Sequence, residues 1–388
     1  MKYKLGEIFE VSSGGTPSKS HPEYYGGSIP WIKTGDLKSE YLYEAEDYIT
    51  DEGLNNSSAK MYSSDTVLIA MYGVTIGATS ILKIDACTNQ ACAAFKKSEK
   101  VIPEYLYYFF KSQRQKFVKD GVGGAQPNIS AGYLKNVEME VPALERQTEI
   151  VNILDKVNGV IEQRMKEIEE LDNLIKARFV ELFGDLANPE CAWEKRQFID
   201  ACVEKDDIKC GPFGTQLSKD EYTETGIAVW EIPQINSSFA TKPTHYLTDE
   251  KAEQLKAYSI IPGDIAMSRK GNVGKCALFP DGYQDGIIHS DVLRIRVNRK
   301  LVNPVFMMCQ LHFSGAVTKQ IEQVSLGAIM AGVNVTKLKY IFVHIPPMEL
   351  QEQFADFVHQ VDKSKVAVQK SLDESQWLFE SLMQDYFG

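Results

Sequence analysis

Val141-Pro142-Ala143-Leu144-Glu145-Arg146-Gln147 opens a run of apolar residues, three or four positions apart, that closes on Leu182-Phe183-Gly184. The design recurs. Ile345-Pro346-Pro347-Met348-Glu349-Leu350-Gln351 opens a stretch ending at Tyr386-Phe387-Gly388, and Pro142 maps on Pro346 and Phe183 on Phe387 with one offset of 204 and no gap. In the first copy Ile150, Leu154, Val157, Ile161, Met165, Ile168, Leu171, Ile175, Phe179 and Leu182 share one side of a helix. In the second, Phe354, Val358, Val361, Lys365, Val368, Leu372, Ser375, Phe379, Leu382 and Tyr386 keep the seam spacing of a coiled coil, interrupted at Lys365 and Ser375. The spacing predicts a helix from about Glu145 to about Leu182, roughly 55 Å long at 1.5 Å per residue, too long to bury its stripe alone. The other copy is the natural partner, in either direction, and the competing reading lays each helix on its own domain. Pro142 and Pro346 fit a helix start, where no amide donor is needed.

With 388 residues and 44% hydrophobic content the chain can hold two domains plus connecting helices. The most apolar window, Val67–Leu82, contains Gly73 and Gly77 and is bounded by Asp65 and Lys83, which reads as strand-turn-strand rather than a membrane span. The opening Met1-Lys2-Tyr3-Lys4-Leu5-Gly6-Glu7 lacks a signal peptide's apolar core, so a cytoplasmic location is expected. Cys87, Cys92, Cys191, Cys202, Cys210, Cys276 and Cys309 contain no Cys-x-x-Cys and read as reduced, mostly buried thiols. The net charge of −11 sits mostly on the helices: residues 142–184 hold nine acidic and six basic side chains and 346–388 hold eight and three, leaving −3 elsewhere. Near-neutral globular parts are compatible with a local basic groove.

The globular segments also match each other. Gly27-Ser28-Ile29-Pro30-Trp31-Ile32 aligns with Gly226-Ile227-Ala228-Val229-Trp230-Glu231, Asp65-Thr66-Val67-Leu68-Ile69 with Asp264-Ile265-Ala266-Met267-Ser268, and Tyr48-Ile49-Thr50-Asp51-Glu52 with Tyr246-Leu247-Thr248-Asp249-Glu250. Each half runs through a short helix or strand (Leu5–Val11; Arg196–Val203) and a glycine turn (Ser13-Gly14-Gly15-Thr16-Pro17; Gly211-Pro212-Phe213-Gly214-Thr215). A Trp strand, an Asp strand and a glycine hairpin follow (Tyr72–Gly77; Lys270–Lys275), then a helical stretch (Pro103–Lys119; Pro304–Gln320) and a glycine-rich loop ending in Asn128-Ile129-Ser130 or Asn334-Val335-Thr336. Short strands, glycine turns and few helices predict α+β domains in the order domain, helix, domain, helix, with approximate two-fold symmetry if the copies associate.

Chemistry-bearing motifs are scarce. The sequence has no Gly-x-x-x-x-Gly-Lys-Ser/Thr, no dinucleotide fingerprint and no His-Glu-x-x-His, and its six histidines are dispersed. No Glu-x-Lys tripeptide occurs, Asn188-Pro189 and Asn303-Pro304 fall short of an amino-methyltransferase signature, and Ser13-Gly14-Gly15 is no nucleophile elbow.

The two Pro-x-Leu/Met-Glu-x-Gln openings, the paired Asn-Ile/Val-Ser/Thr loops and the Asp-strand-glycine hairpins, in register in both halves, make the chain resemble specificity subunits of type I DNA restriction-modification systems over its whole length. The resemblance implies target-recognition domains at 1–141 and 188–345, and long helices at 142–187 and 346–388 forming an antiparallel coiled coil. Each domain would read one half of a bipartite duplex target. The helices would set the spacing and dock two modification subunits that bind S-adenosylmethionine and methylate adenine, and restriction subunits using ATP and magnesium would join them. The chain itself would bind no cofactor and no metal and catalyse nothing. Half-sites about one duplex turn, ~34 Å, apart suit that arrangement.

Side chains able to reach base edges or phosphates sit on the turns. In the first half they are Lys19, Lys33, Thr34, Tyr72, Thr75, Asn89 and Gln90, and in the second Gln216, Gln234, Asn236, Arg269, Lys270, Asn272 and His289. The competing reading for each is an ordinary solvated loop side chain, expected for most of them, and Ser268-Arg269-Lys270-Gly271-Asn272 is the foremost candidate. Asn128 and Asn334 are expected to shape turns rather than touch bases. Helix packing is assigned to Ile150, Leu154, Val157, Ile161, Ile168, Leu171, Ile175, Phe179, Phe354, Val358, Val361, Leu372, Phe379 and Leu382. Two rival readings stay open: a self-contained nuclease or methyltransferase with an unusual site, and a pure protein-interaction scaffold.

Overall fold

A computed structural model describes residues 1–122, 127–188, 191–325 and 332–388. The glycine-rich positions of the two loops before Asn128 and Asn334 fall outside the described residues. Two compact units result: residues 1–165 with 370–388, and residues 166–369. The long helices, Leu144–Phe183 and Met348–Phe387, each begin in one unit and end in the other. At 40 residues, each is about 60 Å long.

Within each unit the two helices run antiparallel. In the first unit, Ile150, Val151 and Leu154 from the start of one helix share a core with Met383, Phe379 and Leu382 near the end of the other, and Arg146 lies over the Tyr386 ring at 5.8 Å. In the second unit, Ile175, Phe179 and Phe183 meet Phe354, Val358 and Val361, with the Phe179 and Phe183 rings each 5.5 Å from Phe354. Leu372 is buried, while Val157, Ile161, Ile168 and Leu171 are half-buried along the same stripe. Met165 departs from expectation and is exposed, because at 3.6 residues per turn a stripe with heptad spacing drifts off the contact line. The two seam interruptions are accommodated. Lys365 reaches Asp172 on the facing helix at 2.5 Å, and Ser375 returns its hydroxyl to the Ser371 carbonyl of its own helix at 2.8 Å.

The helices are also fastened to their globular heads, and the duplicated glutamine does it. Gln147 is wholly buried: its Oε1 accepts from the Ile102 amide at 3.0 Å and its Nε2 donates to the carbonyls of Lys100 and Pro142. Gln351 repeats this with the Asn303 amide and the carbonyls of Leu301 and Pro346. Ile102 and Asn303 cap the helices Pro103–Asp120 and Pro304–Phe313, so each clip ties a long helix to the head helix before it. The stretch expected as one helix to Gln320 is two, Pro304–Phe313 and Gly315–Ser325, because Ser314 turns extended ahead of Gly315.

The heads are built alike. In the first, a sheet ordered Val11–Ser13, Cys92–Phe95, Val67–Ala70, Thr79–Leu82, Tyr41–Leu42 faces one ordered Asp47–Ile49, Tyr25–Ile32, Ala86–Thr88, Met61–Tyr62. The second repeats the first four strands of the five-stranded sheet with Ile208–Cys210, Val292–Ile295, Ile265–Ser268, Cys276–Leu278, and the whole of the other with His245–Leu247, Ile227–Trp230, Gly286–Ile288, Ser259–Ile260. A strand pair closes each head beside its long helix: Lys2–Lys4 with Glu138–Glu140, and Glu194–Gln197 with Phe342–Ile345. The acid opening each Asp strand braces the fold. Asp65 binds Lys83 and Lys97, and Asp264, 1% exposed, takes a two-pronged contact from Arg296 at 2.8 and 2.7 Å. All seven cysteines are free thiols and five are buried.

Candidate nucleic-acid interface

Strand register gathers the loops of each head at one end. In the first head Cys92 pairs with Ala70 and Ala93 with Ser13, so the chain leaving Ser13, the chain leaving Ala70 and the chain entering Cys92 lie side by side. Ile32 and Thr88 finish parallel strands of the other sheet, and Asn89-Gln90-Ala91 carries the chain from that sheet to Cys92, joining the sheet ends. Backbone bonds weave these loops together: Gly15 to Thr88, Asn89 to Ile32, Met71 to Ala91 and Gly73 to Pro127, all at 2.8–2.9 Å. Only glycine permits the tightest approach, since a Cβ on Gly14 would lie 2.0 Å from the Thr88 oxygen.

The second head reproduces this. Cys210 pairs with Leu293, Ser268 with Val292, and Trp230 runs parallel to Ile288. Arg269 donates its amide to Asp291 at 2.8 Å and Val333 donates to Arg269 at 3.0 Å, the same bonds that Met71 makes with Ala91 and Ile129 in the first head. A Cβ on Gly211 would collide with the Ile288 oxygen at 2.2 Å. The bonds match Tyr72 with Lys270 and the left-handed Gly73 at φ 64° with Gly271 at φ 68°; Val74 and Asn272 each follow that glycine, and the first turn is one residue longer before the chain returns.

The candidates divide by what they already hold. In the first head Tyr72 is exposed, and Thr75 turns its hydroxyl back to the Tyr72 carbonyl at 2.9 Å. Asn89 accepts the Ala91 amide at 3.1 Å and shapes its own turn, while exposed Gln90 accepts from the Thr16 hydroxyl. Lys33 is ion-paired with Asp47, whose hydrogen bond raises the ammonium pKa, and Thr34 opens the short turn Thr34–Asp36 behind it. Lys19 is exposed on the segment beyond Thr16 and carries no bond that ties it to the woven loops among the described residues.

In the second head the Arg269 guanidinium lies 4.8 Å over the Phe213 ring with its Nε on the Val333 carbonyl, and Lys270 is 2.7 Å from Asp291. Asn272 is exposed at the hairpin tip, and His289 accepts the Asp291 amide at 3.3 Å. Gln216 takes the Phe213 amide and the Tyr258 hydroxyl, both at 3.1 Å, and Asn236 is exposed at the end of helix Ile232–Asn236. Gln234 is a correction. It is 1% exposed, its Oε1 accepts the Glu231 amide and its Nε2 donates to the Lys242 carbonyl, so it holds a loop and faces no ligand. Asn334 caps the short helix Val335–Leu338 as expected of a turn former, but in the first head that cap is Ser130, two residues beyond Asn128, because the helix there starts at Ala131.

Three features of this surface escape sequence reading. Phe213, 45% exposed, is the platform under Arg269; Val74 is 99% exposed; and Asp47 and Asp291 neutralise the two lysines. An apolar residue beside a turn glycine was the available signal for the first two. The carboxylates lie too far away in sequence to announce themselves. The arrangement offers hydroxyls, amides, cations and an aromatic ring on a bonded frame, the chemistry that reads base edges and phosphates. Among the described residues no cluster of His, Cys, Asp and Glu could hold a metal ion, and no helix is long and apolar enough to cross a membrane.

Fold and surface together define a tandem-duplicated α+β protein, each head woven at one end into a polar surface and clipped to paired helices at the other. The family model of the type I restriction modification DNA specificity domain matches residues 1–172 and again 209–375, and the chain belongs to that family. It is 34% identical over 187 residues to the type I restriction enzyme MjaIX specificity subunit of Methanocaldococcus jannaschii, covering 47% of this chain and 43% of that one. Identity to the EcoR124I/EcoR124II specificity subunit of Escherichia coli is 31% over 175 residues, 42% of this chain and 43% of the relative. These matches span under half the length of either relative. Among solved structures, the type I S subunit from M. genitalium aligns over 100% of this chain and 96% of its own, with TM-score 0.58 at 14% identity. A chain from a structural study of complex assembly and conformational transition in the type I restriction-modification system covers 100% and 97%, with TM-score 0.60 at 15% identity, a likeness of fold.

Proposed function

We propose that the chain is the DNA-recognition subunit of a type I restriction-modification complex, each head reading one half of a bipartite duplex target through its woven loop end. The observation that carries this is the repetition: the same strand register produces the same loop surface twice, with different side chains on each, as two readers of unlike half-sites require. The paired helices, each passing from one unit to the other, are the part that fixes half-site spacing and docks two modification subunits. Catalysis belongs to the partners. S-adenosylmethionine sits on the modification subunits, ATP and magnesium on the restriction subunits, and the whole acts on DNA in the cytoplasm. The chain lacks the motifs for those chemistries, which supports the division of labour. Methylation-sensitive sequencing of a host expressing the chain with its modification subunit tests the reading. Adenine methylation at a two-part motif that vanishes when the chain is omitted is expected; methylation independent of the chain would overturn it.

A further inference from the structure

The hairpin tips of the two heads leave their strands alike but differ in length and chemistry, the turn between Ala70 and Ala78 holding one residue more than that between Ser268 and Lys275. Tyr72-Gly73-Val74 stands in the first head where Lys270-Gly271-Asn272 stands in the second, and Val74 is 99% exposed with Tyr72 beside it 45% exposed. A lone surface valine needs no explanation. This one crowns a built turn. Gly73 donates to Pro127, Ile76 donates to Gly73 at 3.2 Å, Gly77 donates to Ala70 at 3.0 Å, the Thr75 hydroxyl returns to Tyr72, and Ile76 plugs the core at 1% exposure. A stiff branched side chain is therefore held out in water on a hairpin turn of the surface proposed to meet DNA, with no polar atom of its own to offer.

In the major groove only thymine presents a methyl group among the unmodified bases, so apolar contact is the one way such a residue can discriminate. We infer that Val74 is a specificity-determining residue of the first head, packing its methyls against the C5-methyl of a thymine in that half-site, while the second head's tip offers the exposed Asn272 amide instead. This rests on the DNA-recognition reading above.

The test removes one methyl group from the DNA and one side chain from the protein. The full chain with its modification subunits selects duplexes from a randomised library, and recovered duplexes are remade with uracil for thymine in one half-site at a time. Burying a single methyl-sized group is worth about fourfold in affinity. Wild type is expected to lose about that factor on uracil in one half-site, while the Val74→Asn complex, whose exposed position tolerates the change, binds thymine and uracil forms of that half equally. Equal binding of both forms by wild type, or an undiminished uracil penalty in Val74→Asn, would overturn the assignment. A complex that retains no duplex at all would instead sink the DNA-recognition reading.

Discussion

Replacing Gln147 with alanine should loosen the first long helix from its head. The wholly buried side chain makes three bonds, one accepted from the Ile102 amide and two donated to the Lys100 and Pro142 carbonyls. Alanine leaves all three part-buried backbone groups without these partners. At roughly 1 kcal/mol net per bond the loss is about 3 kcal/mol, before any cavity term. For a unit of this size each kcal/mol moves the melting temperature by roughly 2–4 °C, so calorimetry of the full chain should show one transition falling by about 6–12 °C. Gln351→Ala should lower the other unit's transition similarly, since Gln351 repeats the clip. Gln147→Glu should not rescue, because a carboxylate would face two carbonyls. A fall of less than about 2 °C for Gln147→Ala would refute the clip as a structural fastening.

Two further outcomes follow from charges already on the molecule. Asp291→Asn removes the carboxylate 2.7 Å from Lys270; the freed ammonium should strengthen binding to non-target duplex and steepen the salt dependence by about one counterion, and an unchanged slope would exclude Lys270 from the contact surface. His312 accepts the Cys276 amide at 2.8 Å, and burial, with Lys275 nearby, pushes its pKa down from 6.5 to about 4. Its ring stays neutral in the fold while the unfolded chain gains a proton below 6.5, so the stability is complete above that pH and lost on acidification. The second unit should weaken by up to about 1.4 kcal/mol per pH unit across that window, with His344, also lowered by burial, acting in the same direction. His312→Gln, which keeps an acceptor for Cys276, should flatten the dependence; an unaltered pH profile would contradict it.

The duplicated helices were legible because their spacing repeats without a gap, and 3.6-residue periodicity does not depend on the rest of the fold. Their pairing direction was left open by periodicity and is settled by Phe179 against Phe354 and Arg146 over Tyr386. The glycines at 14, 73, 211 and 271 marked the loop end because backbone approach or a left-handed turn demands them. What a loop side chain does was not legible. Gln234 looked like a reader and is a buried brace, while Lys33 and Lys270 are held by Asp47 and Asp291, which only the fold brings near. Gln147 and Gln351 were visible as a repeated motif, but their role as clips needed the partners from the head helices.

The claim at the centre is that each head reads its own half of the target. Arg269 sits on the loop end of the second head alone, over Phe213 and bonded to Val333. The most direct measurement is the methylated motif of a host carrying Arg269→Ala beside that of the parent. The account predicts that one half of the motif relaxes, at a cost of ~1–3 kcal/mol for the lost base contact, while the other half and the spacer stay as they were. Relaxation of both halves together, or an unchanged motif with unchanged binding, would contradict it.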